Sequence, residues 1–165
     1  MENKFIRYEK LNKWNILTLC LYLSLSIFLL IYNLQSNYNH EDLIFFYGFG
    51  TQFFLYLFQY RALRNFNYFL IWLGIGFVQF CIFIVLKRTP EFILVHSNTI
   101  FGLRSTLITL LLFQLLRFIS LKIQGKELIA PPKGTTPDFY DSRKGTTIDF
   151  VCFIIFLVAI FISLA

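Results

Sequence analysis

Two histidines sit beside carboxylates in this 165-residue sequence. His40-Glu41-Asp42 forms one run, and Glu91 precedes His96 by a short interval. Imidazole nitrogens with carboxylate oxygens are ligands for a divalent metal, and a His next to a Glu is also an acid-base pair. The two halves belong to separate short connections, so the run reads as a solvated turn rather than a metal or acid-base centre. Cys20, Cys81 and Cys152 fall in three different apolar runs with no Cys-x-x-Cys spacing, and read as small packing hydrophobes. No His lies inside an apolar run, which leaves no bis-His haem site, and no Ser, His and Asp share one depth for hydrolysis. The sequence therefore predicts no enzyme, no catalytic or metal-binding residues and no cofactor.

The remaining chemistry is that of amides, hydroxyls and one charge inside apolar runs. Gln52 and Gln59 are seven apart and so share a helical face, with Gly48 one turn earlier on it. Gly74, Gly76 and Gln79 fall together in the next run, and Arg104, Ser105, Thr106, Thr109 and Gln114 in the one after. Amides at such positions hydrogen-bond between helices, and glycines let backbones approach. Gly48, Gln52, Gln59, Gly74, Gln79, Arg104 and Gln114 are therefore the expected helix-packing or partner-contact residues. Arg104 stands apart, because a guanidinium in lipid costs at least about 3 kcal/mol unless it snorkels or is paired. The expectation is snorkelling to the headgroups, or pairing with Glu41, Asp42, Glu91 or a carboxylate of another subunit.

Five apolar segments position these residues, at about 16–32, 43–60, 66–86, 99–119 and 148–164. Each approaches the roughly 20 residues that a helix needs to cross a bilayer. A composition of 57% hydrophobic residues, 22 of them Phe, exceeds what a soluble domain of this size could bury, so lipid is the expected solvent. Backbone amides in lipid must be paired internally, and runs too long for strands predict an all-α membrane protein. The first run precedes no small-x-small cleavage site and is expected to remain as an anchor.

Charge placement predicts orientation. Lys4, Arg7, Lys10, Lys13, Arg61, Arg64, Arg117, Lys122, Lys126, Lys133, Arg143 and Lys144 fall at alternate connections, twelve of the fifteen basic residues. The positive-inside rule then puts the N-terminus in the cytoplasm and the C-terminus outside. Residues 1–15 pattern as a short amphipathic helix with Phe5, Tyr8 and Leu11 on one side, suited to anionic headgroups. Gly125 is the expected terminator of the fourth helix. Beyond it lies the one internal repeat, KGTTxDF, at Lys133 to Phe139 and again at Lys144 to Phe150. In the second copy Thr146 or Thr147 is placed to cap the fifth helix, with Asp149 in its first turn. The first copy, with Lys133, Thr135, Asp138, Phe139 and Tyr140, is the candidate cytoplasmic docking element.

These features predict one polytopic domain, residues 1–165: a non-enzymatic structural or accessory subunit of a larger bacterial inner-membrane complex. A motor, a secretion apparatus, a transport system or a respiratory assembly would each suit. Its expected partners are other membrane subunits and anionic lipid, with no nucleic acid. The alternative is a small oligomeric channel or transporter lined by glutamine and threonine.

Overall fold

The computed structural model describes residues 5–35, 41–87, 101–130 and 144–164. Among them are five α-helices, α1 (Lys13–Gln35), α2 (Glu41–Phe58), α3 (Phe66–Lys87), α4 (Phe101–Gln124) and α5 (Thr147–Leu164), with a 3-10 turn at Ala62–Arg64. No strand occurs among the described residues, though an isolated parallel bridge joins Arg7 to Asn65. By length and composition α1, α3 and α4 are apolar and long enough to cross a membrane, whereas α2 and α5 are apolar but shorter. The 22 residues of α3, at about 1.5 Å each, give roughly 33 Å against a hydrocarbon core of about 30 Å.

Local signals set the helix ends. Gly125 adopts φ 65°, a conformation costly for any residue with a Cβ, and its N–H closes the last bond of α4 onto the Leu121 carbonyl at 3.0 Å. Asn65 turns extended after the 3-10 turn and caps α3, its Oδ1 accepting the Asn67 N–H at 3.1 Å.

The amphipathic helix expected over residues 1–15 is not what the described part of that segment forms. Residues 5–12 are non-helical, and α1 begins at Lys13. An isolated helix that short is marginal, and here the backbone has better partners in the α2–α3 link. Phe66 N–H donates to the Arg7 carbonyl at 2.8 Å. Asn65 Oδ1 accepts the Glu9 N–H at 3.3 Å, and Asn65 Nδ2 donates to the Glu9 carbonyl at 2.9 Å. One asparagine thus caps a helix and holds the N-terminal segment against it.

Helix α4 is the hub, packed against α2, α3 and α5. It carries Ser105, Thr106 and Thr109 into the interior because each hydroxyl bonds back to a carbonyl of its own helix, for example Thr109 Oγ1 to Ser105 O at 2.9 Å. The core is strongly aromatic: Tyr56 stacks on Phe156 of α5 with ring centroids 3.7 Å apart, and Trp72 is completely buried. Outward-facing positions are apolar as well, including Leu21, Leu25 and Phe28 of α1, Phe77 and Val78 of α3, and Phe161 and Ile162 of α5.

Contacts sort the described chain into two ends. One gathers the N-terminal segment, the α2–α3 link, the foot of α4 with residues 126–130, and the start of α5. The other brings the first turns of α4 against Gly48 of α2 and the last turn of α5.

Candidate functional site

Among the described residues, a cluster of charged side chains lies at the first of these ends. Glu127, just past the end of α4, forks onto the buried Arg117, Oε2 accepting from Nε at 2.7 Å and Oε1 from Nη2 at 2.8 Å. This is the bidentate geometry in which a guanidinium and a carboxylate bind most strongly. Arg117 Nη1 also reaches Gln114 Oε1 at 3.3 Å, and its guanidinium lies 5.1 Å from the centre of the Phe5 ring. Arg64 and Arg7 approach the same carboxylate at 4.0 and 3.6 Å. Arg64 Nη2 further donates to the Leu128 carbonyl at 2.6 Å. Burial opposes ionisation of Glu127, but the hydrogen bonds and charge of Arg117, with the charges of Arg64 and Arg7, outweigh it and hold its pKa below the usual glutamate range. Among the described residues, three cations around one anion tie the N-terminal segment, the α2–α3 link and α4 together.

A second cluster lies beside it. Asp149 is fully buried in the first turn of α5. Its Oδ2 accepts the Thr146 N–H at 2.9 Å, while the Asp149 N–H donates to Thr146 Oγ1 at 3.3 Å, the reciprocal arrangement of a capping box. The other oxygen, Oδ1, accepts Gln124 Nε2 and the Ile129 N–H, both at 3.2 Å. A residue whose place in the sequence marked it as a helix-start charge therefore also fastens α5 to the end of α4 and to the segment that follows.

At mid-bundle Gln79 joins three helices, its amide donating to the hydroxyls of Tyr22 at 2.7 Å and Tyr47 at 3.0 Å. The proton order follows by elimination. Ser26 donates to the Tyr22 carbonyl and Thr51 to the Tyr47 carbonyl, both at 2.7 Å, so each tyrosine, accepting from Gln79, donates onward to Thr51 or Ser26. This directed network is a principal tie between α1 and the rest of the bundle.

The other expected contact residues have the following places. Gly48 lies directly on Gly102, where an added Cβ would come within 2.6 Å of the Gly102 carbonyl carbon. Gln52 Nε2 donates to the Gly102 carbonyl at 3.1 Å, one turn along the same face of α2. Gln59 lies past the end of α2 and accepts from the Tyr68 hydroxyl at 3.1 Å, and Gln114 Nε2 donates to the Leu63 carbonyl at 3.0 Å. A Cβ added at Gly74 would meet nothing within 4 Å, and this glycine faces outward; Gly76 is the glycine against α4, beside Leu107 and Leu110. Arg104 Nη2 donates to the Ser163 carbonyl at 3.3 Å, with its guanidinium over the Phe101 ring at 4.7 Å. Its described partners are thus the negative end of α5 and an aromatic face, where the sequence suggested a carboxylate or the headgroups.

Lys133, Thr135, Asp138, Phe139 and Tyr140 lie outside the described residues, as do His40, Glu91 and His96, while Glu41 and Asp42 fall in the first turn of α2. Sequence reasoning missed Glu127, and also the tyrosine pair. One signal was present for the former: it is the single carboxylate between Arg117 and Asp138, in an otherwise basic stretch. Compared with protein families, curated proteins and solved structures, the chain matches none at a significant level.

Proposed function

We propose that this chain is a non-enzymatic structural or accessory subunit of a larger inner-membrane assembly, with five helices crossing the bilayer, the N-terminus cytoplasmic and the C-terminus outside. The observation that carries the reading is where the polar side chains of the bundle go. Gln52, Gln59, Gln79, Arg104 and Gln114 all bond within the chain. What turns outward is Leu, Ile, Val and Phe, most extensively on α1, where 11% of the apolar window is buried against 39% for α4. Such a surface suits lipid and the helices of other subunits. A pore lined by glutamine would need Gln52 turned toward a lumen, whereas its amide is held by Gly102 and its side chain is fully buried.

Packing supports five crossings although α2 and α5 are short. Helix α5 is tied to α4 at both ends, through Asp149 with Gln124 and through Arg104 with Ser163. Helix α2 and its following turn run beside α4 from Gly102 to Gln114. Helices that share the length of α4 share its depth. Orientation is supported by charge: Arg7, Lys10, Lys13, Arg61, Arg64, Arg117, Lys122, Lys126 and Lys144 gather at one end, against Lys87 and Arg104 among the described residues near the other. The exposed Lys10, Lys13 and Arg61 with the exposed Trp14 suit anionic headgroups.

Purification of a tagged chain in mild detergent tests the proposal, and stoichiometric membrane partners are expected. A lone species, or a homo-oligomer that passes ions once reconstituted, would overturn it. Orientation is tested separately with single cysteines in a cysteine-free background, where Asn37→Cys should label from outside and Ser142→Cys only after permeabilisation.

A further inference from the structure

Between α2, α4 and α5 lies a cavity of about 10 Å³, close to the smallest space that admits one water. Most of its wall is apolar, from Leu55, Leu63 and Phe113 among others, but Gln52, Tyr56 and Thr109 also line it. Gln52 and Tyr56 are four residues apart on α2 and so stand one above the other on one face. Both are almost completely buried, and the Gln52 Oε1 and Tyr56 hydroxyl have no hydrogen-bond partner in the protein. Orientation of the Gln52 amide is settled by the donation of its Nε2 to the Gly102 carbonyl, so Oε1 is the atom left over.

We propose that this cavity binds a single structural water, which accepts from the Tyr56 hydroxyl and donates to Gln52 Oε1 and Thr109 Oγ1. The donor count closes. Thr109 directs its one proton to the carbonyls of Ser105 and Thr106, at 2.9 and 3.1 Å, so its lone pairs are free to accept. Tyr56 has a proton to give and Gln52 Oε1 has only lone pairs. Three partners is the usual number for a buried water, and two of the three are polar atoms otherwise left unpaired. No charged group lines the space, and its size leaves no room for a larger ligand. The water would add a second link between α2 and α4 beside the bond from Gln52 Nε2 to the Gly102 carbonyl, and the inference holds whether or not the chain is a subunit of a complex.

The sign of one conservative substitution tests it. Tyr56→Phe keeps the ring that stacks on Phe156 and removes only the hydroxyl. If the hydroxyl is bonded to water, its loss should lower the unfolding temperature of the detergent-purified protein by roughly 2 to 4 °C. Were the hydroxyl dry and unpaired, deleting it would relieve a desolvation cost, and an unchanged or raised unfolding temperature would overturn the proposal. A high-resolution structure gives a second, independent reading. Solvent density within hydrogen-bonding reach of both Tyr56 and Gln52 is expected, whereas an empty cavity or a direct Tyr56–Gln52 bond would overturn the proposal as well.

Discussion

Replacing Gly48 by alanine should be among the most damaging small changes in this protein. The added Cβ would stand 2.6 Å from the carbonyl carbon and 2.8 Å from the Cα of Gly102. Carbon atoms in contact prefer about 3.5 to 4.0 Å, so α2 and α4 must separate by roughly 1 Å at this point. Nothing flexible is there to yield, since both colliding groups are backbone. The shift would also stretch the bond from Gln52 Nε2 to the Gly102 carbonyl, now 3.1 Å, past useful length. Overpacking of this kind costs about 1 to 3 kcal/mol, and an interhelical hydrogen bond in a membrane protein contributes about 1 kcal/mol, so a loss of about 2 to 4 kcal/mol is expected. Two other glycines, one on α2 and one on α3, serve as controls. Gly50 and Gly74 have nothing within 4 Å of an added Cβ, and alanine there should be neutral or stabilise by up to about 1 kcal/mol through helix propensity. Gly102→Ala, whose nearest contact would be 3.2 Å, should act in the same direction as Gly48→Ala but less strongly. The assay is unfolding of the detergent-purified variants, followed by helical circular dichroism against added denaturing detergent. If Gly48→Ala unfolds at the same point as Gly50→Ala and Gly74→Ala, the close approach of α2 and α4 is wrong.

Other perturbations address the two polar clusters and the docking element. Asp149→Asn turns an amide donor toward the N–H groups of Thr146 or Ile129 and removes charge-assisted bonds, so a loss of about 2 to 3 kcal/mol is expected, with protease cleavage near residue 146 rising as α5 loosens. Because the pKa of Glu127 is lower in the folded protein than in the unfolded chain, its ionised form stabilises the fold fully above the ordinary glutamate value of about 4.3, and that contribution is lost as the pH falls through the lowered value. Glu127→Gln should therefore flatten this acid limb of a stability-against-pH curve, and an unaltered limb would remove Glu127 as its source. Exchanging Lys133 to Phe139 for a Gly-Ser linker should release a co-purifying partner while leaving membrane insertion intact; retention of every partner would reduce the repeat to helix capping.

Much of the architecture was legible because it rests on local physics. Apolar runs became helices, Gly125 ended α4 through its positive φ, and Thr146 with Asp149 capped α5, each effect confined to a few neighbouring residues. Residues 5–12 departed from the helical pattern for the opposite reason, since their partners, Asn65 and Phe66, lie far along the chain. Gly74, not Gly76, was the contact glycine expected on α3. Two residues apart on a helix is some 200° of rotation, so only one of them can meet α4, and the packing decides that it is Gly76.

By itself, then, the sequence determined the all-helical class, the end of α4 and the start of α5, and the concentration of positive charge on alternate connections, because hydrophobicity, capping and charge act residue by residue. Tertiary structure decided which polar atoms meet: Glu127 with arginines at 7, 64 and 117, Gln79 with two tyrosines, Gly48 with Gly102, and Arg104 with the end of α5. Those pairings depend on the rotation and depth of each helix against its neighbours, set by the packing of many side chains at once and by no short stretch of sequence.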